Sequence, residues 1–309
     1  MEKIIIIGHK NPDTDSIVSA IAAQELFSRV FGIEAQAFRC GEINNETKFV
    51  LKNFEVEIPD HIKDAGEIDS VALVDHNEIS QVFDGLDYGK VDYIFDHHKL
   101  SVVTEKPIYC HMVPIGSTSS IIAQLFFTKG LEPSDKVAKL LVSGILSDTL
   151  NLTSPTTTQE DRKLLEKLND VAKLNIEEFV AEMFKAKSSL EGISIQDIIT
   201  LDYKNFEMGT KKVGIATWET TFPESVNVKK SEIMEALAIK KTAQNLDYVF
   251  FMVVDILKQF CQLYVIGEEE KALAEKVFSK KENEGIMELP GVVSRKKQIV
   301  PQLTEELSK

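Results

Sequence analysis

The chain has 309 residues, 43% hydrophobic and 27% charged, and its 35 Lys and Arg against 49 Asp and Glu give a formal net charge of −14. Those proportions are ordinary for a folded globular protein and exclude disorder and fibrous architectures, and the length predicts two domains. So acidic a balance argues against broad electrostatic binding to nucleic acid or an anionic membrane, which need a basic surface, while leaving room for a small basic anion site.

In chain order, the β-branched run Lys3 to Ile7 predicts a strand that leads into the polar loop Gly8-His9-Lys10-Asn11-Pro12-Asp13-Thr14-Asp15-Ser16. Val18, Ala22 and Leu26 then recur every fourth residue, one face of a helix that Ser16 or Asp15 can cap. Val71 to Val74 and Tyr93 to Phe95 read as buried strands, followed by Asp75 and by Asp96-His97-His98. Ser117 to Phe127 and Lys136 to Leu146 read as helices. Short apolar strands alternating with helices predict an α/β domain with a mainly parallel sheet, whose ligands bind beyond the C-terminal strand ends.

Residues 186–194 are the best linker candidate. Beyond them, strands at Lys212 to Trp218, Tyr248 to Val254 and Gln262 to Ile266, with helices at Ser231 to Asn245 and Glu268 to Phe278, predict a smaller α/β domain with a mixed sheet. Leu289-Pro290-Gly291 is expected to break structure ahead of Ser294-Arg295-Lys296-Lys297-Gln298. The charge is unevenly split, a net −11 over residues 1–190 and −3 over residues 191–309.

Three scattered cysteines, Cys40, Cys110 and Cys261, with no CxxC pair, predict buried reduced thiols rather than disulfides or a zinc site. No apolar run approaches the roughly 18–20 residues of a membrane span. Four isoleucines are too few for a signal-peptide core, so a soluble cytoplasmic protein is expected.

The polar clusters carry the chemistry. His9, Asp13 and Asp15 offer an imidazole and two carboxylates within seven residues, mixed N/O donors of the kind Mn²⁺ accepts, on a loop that Pro12 stiffens. The plain alternative is a polar turn in which Asp15 caps a helix. Asp75 is a turn residue or, having two oxygens, a bridge between two metals. His97 and His98 can point different ways, one to a metal and one to a substrate, with Asp96 adjacent to orient an imidazole. Asp148 reads either as a helix-end residue or as a ligand. Together His9, Asp13, Asp15, Asp75, His97 and Asp148 would hold two divalent ions, a standard arrangement for phosphoryl hydrolysis. Arg295-Lys296-Lys297 suits phosphate or is a solvated basic run, and Lys204 could add a positive charge.

With these motifs in this order, the chain resembles the family II, manganese-dependent inorganic pyrophosphatases of the DHH phosphoesterase superfamily, essentially from end to end. The markers are the loop Gly8 to Ser16, Val74-Asp75-His76-Asn77, Asp96-His97-His98, Ser147-Asp148 and Ser294 to Gln298. The resemblance implies hydrolysis of pyrophosphate to two orthophosphates. It implies a DHH metal-binding catalytic domain over 1–187, a hinge over 188–194 and a substrate-binding domain over 195–309, with the active site in the cleft between the domains.

One Mn²⁺ would be held by His9, Asp13 and Asp75, the other by Asp15, Asp75, His97 and Asp148, with Co²⁺ as a substitute. His98, Lys204, Arg295 and Lys296 would bind the phosphates, and Asp96 would support the site. A hydroxide bridging the metals would be the nucleophile, Asp75 and His98 would be the catalytic residues, and Mg²⁺ would arrive with pyrophosphate. A homodimer through the N-terminal domains is implied. Lys297 and His76 are given no role.

The runner-up is another DHH phosphoesterase, an exopolyphosphatase or a phosphodiesterase for short oligonucleotides or cyclic dinucleotides. Relatives acting on oligonucleotides resemble one another in a glycine-rich motif ending in His, which this chain lacks. Its net charge and single Trp also fit poorly with a nucleic-acid channel, so no nucleic-acid or membrane partner is expected. A non-catalytic phosphate or metal sensor is the third reading, disfavoured because all six ligands are present.

Overall fold

The isoleucine run forms β1 (Ile4–Ile7), an interior strand of a five-stranded sheet in the computed structural model, which describes residues 4–62 and 68–309. Lys3, the expected first residue of that strand, lies outside the described residues. β2 (Ala35–Phe38), β3 (Ser70–Val74), β4 (Val91–Asp96) and β5 (Tyr109–Met112) complete the sheet in the order β2-β1-β3-β4-β5. Each of these pairings is parallel. β3 is buried at every residue, as expected of a strand covered on both faces. Helices α1 (Thr14–Leu26), α2 (Asn45–Asn53), α3 (Thr118–Thr128), α4 (Asp135–Asp148), α5 (Gln159–Ala172) and α6 (Ile176–Lys187) belong to the same unit, which ends at Ala186.

Strand order reverses beside β1. The chain goes from β1 to β2 on one side, and β3 then pairs with β1 on the other. Loops leaving the C-terminal ends of β1 and β3 therefore diverge, and open α/β sheets bind ligands at such a point. His9 follows β1 and Asp75 follows β3, which brings two motifs distant in sequence to one sheet edge.

The second unit starts at Lys187. Its elements are α7 (Ile195–Thr200), β6 (Tyr203–Met208), β7 (Lys211–Thr220), α8 (Glu224–Asn227), α9 (Lys230–Ala243), β8 (Tyr248–Asp255), β9 (Phe260–Val265), α10 (Glu268–Phe278), β10 (Glu282–Asn283), β11 (Ile286–Pro290) and α11 (Val300–Leu307). The six-stranded sheet, β10-β11-β9-β8-β7-β6, is mixed: β7 and β8 are parallel and the other neighbours antiparallel. Alternation along β8 builds both halves of the core. Phe250, Met252 and Val254 pack with Leu273 of α10 and Leu303 of α11. Val249, Phe251 and Val253 pack with Ile198 of α7 and Leu237 of α9. No helix among the described residues is long and apolar enough to cross a membrane.

Four expectations change, the first at Cys110, which is exposed on the edge strand β5 where a buried thiol was expected; Cys40 and Cys261 are buried. Asp13, not Ser16 or Asp15, caps α1, its side chain accepting from the Ser16 amide. Leu289 and Pro290 do not break structure but end β11, where Pro290 pairs opposite Phe260; the break falls at Gly291, with φ +75. Ala186 and Lys187, expected in the linker, are the last residues of α6, and Leu190 beyond them is buried in the second unit's core.

Candidate metal centre

The loop after β1 is set by close approach. The Ser16 hydroxyl accepts the His9 amide at 3.1 Å, and a Cβ on Gly8 would collide with that oxygen, so only glycine leaves room for the bond. Capping by Asp13 fixes its carboxylate through Oδ1, which accepts the Ser16 N–H at 3.0 Å. Asp15 lies inside the first turn of α1 and is fully buried. The start of α3 supports it: the Thr118 amide donates to Oδ2 at 2.7 Å and the Ser119 amide to Oδ1 at 3.0 Å. A carboxylate against the unpaired N–H groups of a helix N-terminus is electrostatically favoured.

Asp75, the residue after β3, has a left-handed backbone, φ +64, an uncommon conformation for a non-glycine residue that is found at functional sites. The side chain is buried, and its two oxygens face different groups. Oδ2 lies 3.5 Å from His9 Nε2, which is itself 3.7 Å from Asp13 Oδ1. Oδ1 lies 3.3 Å from His97 Nε2, which is 3.4 Å from Asp148 Oδ2 at the end of α4.

His97 Nδ1 lies 2.9 Å from the Ile115 carbonyl. A carbonyl oxygen only accepts, so Nδ1 carries the proton and Nε2 presents a lone pair in the neutral ring. That Nε2 is buried and has no hydrogen-bond partner although two carboxylates stand near it.

Such spacing fits a metal. Two ligands about 2.1 Å from one cation lie about 3.0 Å apart at a right angle and about 3.4 Å apart at the tetrahedral angle. One ligand atom each from Asp15, Asp75, His97 and Asp148 lie within 4.8 Å of one another, and so do those of His9, Asp13 and Asp75. Asp75 belongs to both groups, and a further combination joins it to His97 and His98. Imidazole with carboxylate is a mixed N/O donor set that first-row divalent cations accept, the oxygen-rich share suiting Mn²⁺.

Without a cation the carboxylates draw protons instead. Burial alone would lower His9, but Asp13 and Asp75 outweigh it and push its pKa up to about 10. His97 is likewise opposed by burial and raised to about 9 by Asp75 and Asp15. Burial, then the Asp75 charge, raises Asp15 to about 7. Asp75 resists burial and is held far below the usual carboxylate range by His9 and His97.

His98 is half-exposed, and its Nδ1 donates to Asp96 Oδ1 at 2.9 Å. Asp96 is buried, and its other oxygen accepts from Asn77 Nδ2 at 2.6 Å. Burial would raise Asp96, but the His98 and Asn77 donors hold it below its usual range, and Asp96 in return raises His98. His76 Nδ1 donates to the Val74 carbonyl at 2.9 Å, and burial lowers its pKa to about 4. A cavity of about 480 Å³ opens here, lined by His9, Asp13, Asp75, His76, His98 and Asp148 among others. A larger hollow of about 610 Å³ at the opposite sheet edge, by Ile4, Ser70 and Tyr109, includes none of these ligands.

Lys204, Arg295 and Lys296 lie in the second unit. Arg295 starts a π-helical turn before α11, and its guanidinium is engaged locally. Nη1 donates to the carbonyls of Asp202 and Ile215 at 2.7 and 3.0 Å, and Nη2 to Asp202 Oδ1 at 2.7 Å. That pins the turn beside the segment leading into Lys204. Lys204, Lys296 and Lys297 are exposed and form no ion pair among the described residues.

The sequence reading missed several supporting groups: Thr118 and Ser119 on the carboxylates, Asn77 on Asp96, and Glu46, buried and accepting from Thr14 and Ser147 beside the ligands. The one legible signal was the run Ser117-Thr118-Ser119-Ser120, four hydroxyl residues at a helix start.

Residues 3–145 match the DHH family, N-terminal domain, and residues 181–306 match the DHHA2 domain. A probable manganese-dependent inorganic pyrophosphatase of Exiguobacterium is 40% identical over the whole of both chains. The manganese-dependent inorganic pyrophosphatase of Methanocaldococcus jannaschii is 40% identical over 96% of this chain and 97% of its own. The crystal structure of a putative family II inorganic pyrophosphatase from the same archaeon superposes with a TM-score of 0.62 at 39% identity, covering 99% of this chain and all of that one. The chain belongs to the manganese-dependent, family II inorganic pyrophosphatases.

Proposed function

We propose that this protein hydrolyses inorganic pyrophosphate to two orthophosphates with two Mn²⁺ per subunit. The observation that carries the reading is the shared carboxylate: Asp75 belongs to both ligand groups and turns a different oxygen toward each. His9, Asp13 and Asp75 would hold one cation; Asp15, Asp75, His97 and Asp148 the other. Bound divalent metals supply Lewis-acid polarisation of phosphoryl oxygens and lower the pKa of water.

The chain's own residues orient and neutralise. His98 donates its Nδ1–H to Asp96, which raises the His98 pKa, and the protonated ring leaves Nε2–H to donate to a phosphate oxygen. Lys204 and Lys296 are exposed cations suited to a polyanion, while Arg295, tied to Asp202, organises their turn as well as offering charge. Mg²⁺ with the substrate, Co²⁺ as a substitute and a cytoplasmic location belong to the same reading. So does a homodimer through the first unit, supported by the edge position of β5, where Tyr109 and Cys110 are exposed.

The test is phosphate release by protein stripped of metal and then given Mn²⁺, with pyrophosphate, tripolyphosphate and a dinucleotide side by side. Release from pyrophosphate that depends on Mn²⁺ is expected. No release from pyrophosphate by the reloaded protein sinks the reading, and preference for either other substrate moves the chain to another phosphoesterase activity.

A further inference from the structure

Thr118 is in neither ligand group, yet it bonds to two of the carboxylates, Asp15 of one group and Asp75, which the groups share. Its backbone N–H donates to Asp15 Oδ2 at 2.7 Å, and its hydroxyl donates to Asp75 Oδ1 at 3.0 Å. The residue is fully buried at the first position of α3, behind the cap Ser117. A threonine deep in a helix often turns its hydroxyl back to a carbonyl four residues earlier. At the first helical position no preceding helical turn competes, so the hydroxyl is free to reach across to the end of β3.

The hydroxyl decides which way Asp75 faces. A carboxylate swivels about its last side-chain bond, and here one oxygen must serve His9 and Asp13 while the other serves His97, Asp15 and Asp148. A proton donor on Oδ1 occupies one of its two lone-pair directions, leaves the other for a cation and fixes the carboxylate plane. Because the same residue's N–H holds Asp15, the Asp15–Asp75 spacing is set by one rigid unit, the first residue of a helix. Oδ1 faces the His97 side, so a disturbance at Thr118 acts first on the group formed by Asp15, Asp75, His97 and Asp148.

We propose that Thr118 is a positioning residue that sets the relative affinity of the two cation sites, acting on the Asp15–His97–Asp148 site and sparing the His9–Asp13 site. This rests on the two-metal reading above. The experiment is Mn²⁺ titration of the metal-free full chain by calorimetry and by electron paramagnetic resonance, for the wild type, Thr118→Val and Thr118→Ser, with circular dichroism to verify folding.

The wild type is expected to take up two Mn²⁺. Thr118→Val keeps the branched shape without the hydroxyl; it should bind one Mn²⁺ normally and the other about 10–100-fold more weakly, the usual cost of losing a support behind a ligand. Thr118→Ser, which restores the hydroxyl, should recover most of that loss. Two unchanged affinities in folded Thr118→Val overturn the proposal. Equal weakening at both sites, or a loss that serine does not repair, overturns it as general loosening. A wild type that takes up fewer than two Mn²⁺ overturns the two-metal reading itself, and this inference with it.

Discussion

Protons and cations compete for the same side chains at this centre. With His9 raised to about 10 and His97 to about 9, both imidazoles are protonated at pH 7 in metal-free protein, and Asp15, raised to about 7, is partly so. A metal needs the neutral ring and the carboxylate, so binding must expel those protons. Uptake of Mn²⁺ near pH 7 should therefore release about two protons from the histidines, fewer as pH approaches 10, with apparent affinity rising with pH across that range. Calorimetry in buffers of different ionisation enthalpy counts them, and release of none overturns this charge assignment. The sign for stability follows. The raised histidine values contribute fully to the metal-free fold below about 6.5 and are lost as pH climbs through 9 to 10. The thermal midpoint of metal-free protein should fall over that window, and loading with Mn²⁺ should flatten the dependence.

The meeting of α1, α3 and α4 shows how elements set ligand spacing. Gly144 lies inside α4, where alanine is ordinarily better by about 1 kcal/mol. Here a Cβ would stand 2.6 Å from Asp15 Oδ1, 2.8 Å from Ser119 Cβ and against the Ser119 hydroxyl, so glycine is what lets α4 close on the start of α3. Gly144→Ala should reverse the usual preference and destabilise by about 1–3 kcal/mol, the range for overpacking a core. Denaturant unfolding of the metal-free protein checks the stability, and Mn²⁺ titration checks for a loss at the Asp15 side. A variant as stable as wild type with unaltered Mn²⁺ binding contradicts the close packing. Periodicity gave α1, α3, α4, α9 and α10, the last (Glu268–Phe278) to the residue, but α2, α5, α6 and the shorter helices α7, α8 and α11 were not named. The short strands β2 and β5 were not named either, because four residues are too few to establish a period.

Across the whole molecule, the candidate metal ligands all fall in the first unit and the candidate phosphate-binding cations Lys204, Arg295 and Lys296 in the second. The acidic excess of residues 1–190 follows the metal ligands only in part, since four of its carboxylates are assigned to cations and many others are exposed. Each unit has its own sheet and core. A fragment of residues 1–186 should therefore fold, bind Mn²⁺ and, if β5 is the subunit contact, scatter light as a dimer, without hydrolysing pyrophosphate efficiently. A folded fragment that takes up no Mn²⁺ contradicts the placement of the metal centre, and a monomeric one contradicts the proposed dimer contact.

The sequence by itself determined the fold class, the two-unit organisation and the identity of the ligand candidates, because strand-then-acid and strand-then-histidine patterns are local and a parallel sheet brings strand ends to one edge. What it left open at Asp15 was narrowed by tertiary structure, which gives the cap to Asp13 and turns Asp15 inward against α3, within a candidate ligand group. Which oxygen of Asp75 faces which group, the hold of Thr118 on that choice and the need for glycine at Gly144 likewise depend on contacts between residues more than 20 apart in sequence. Local propensity and periodicity carry no record of such contacts. They exist only once the helices have packed.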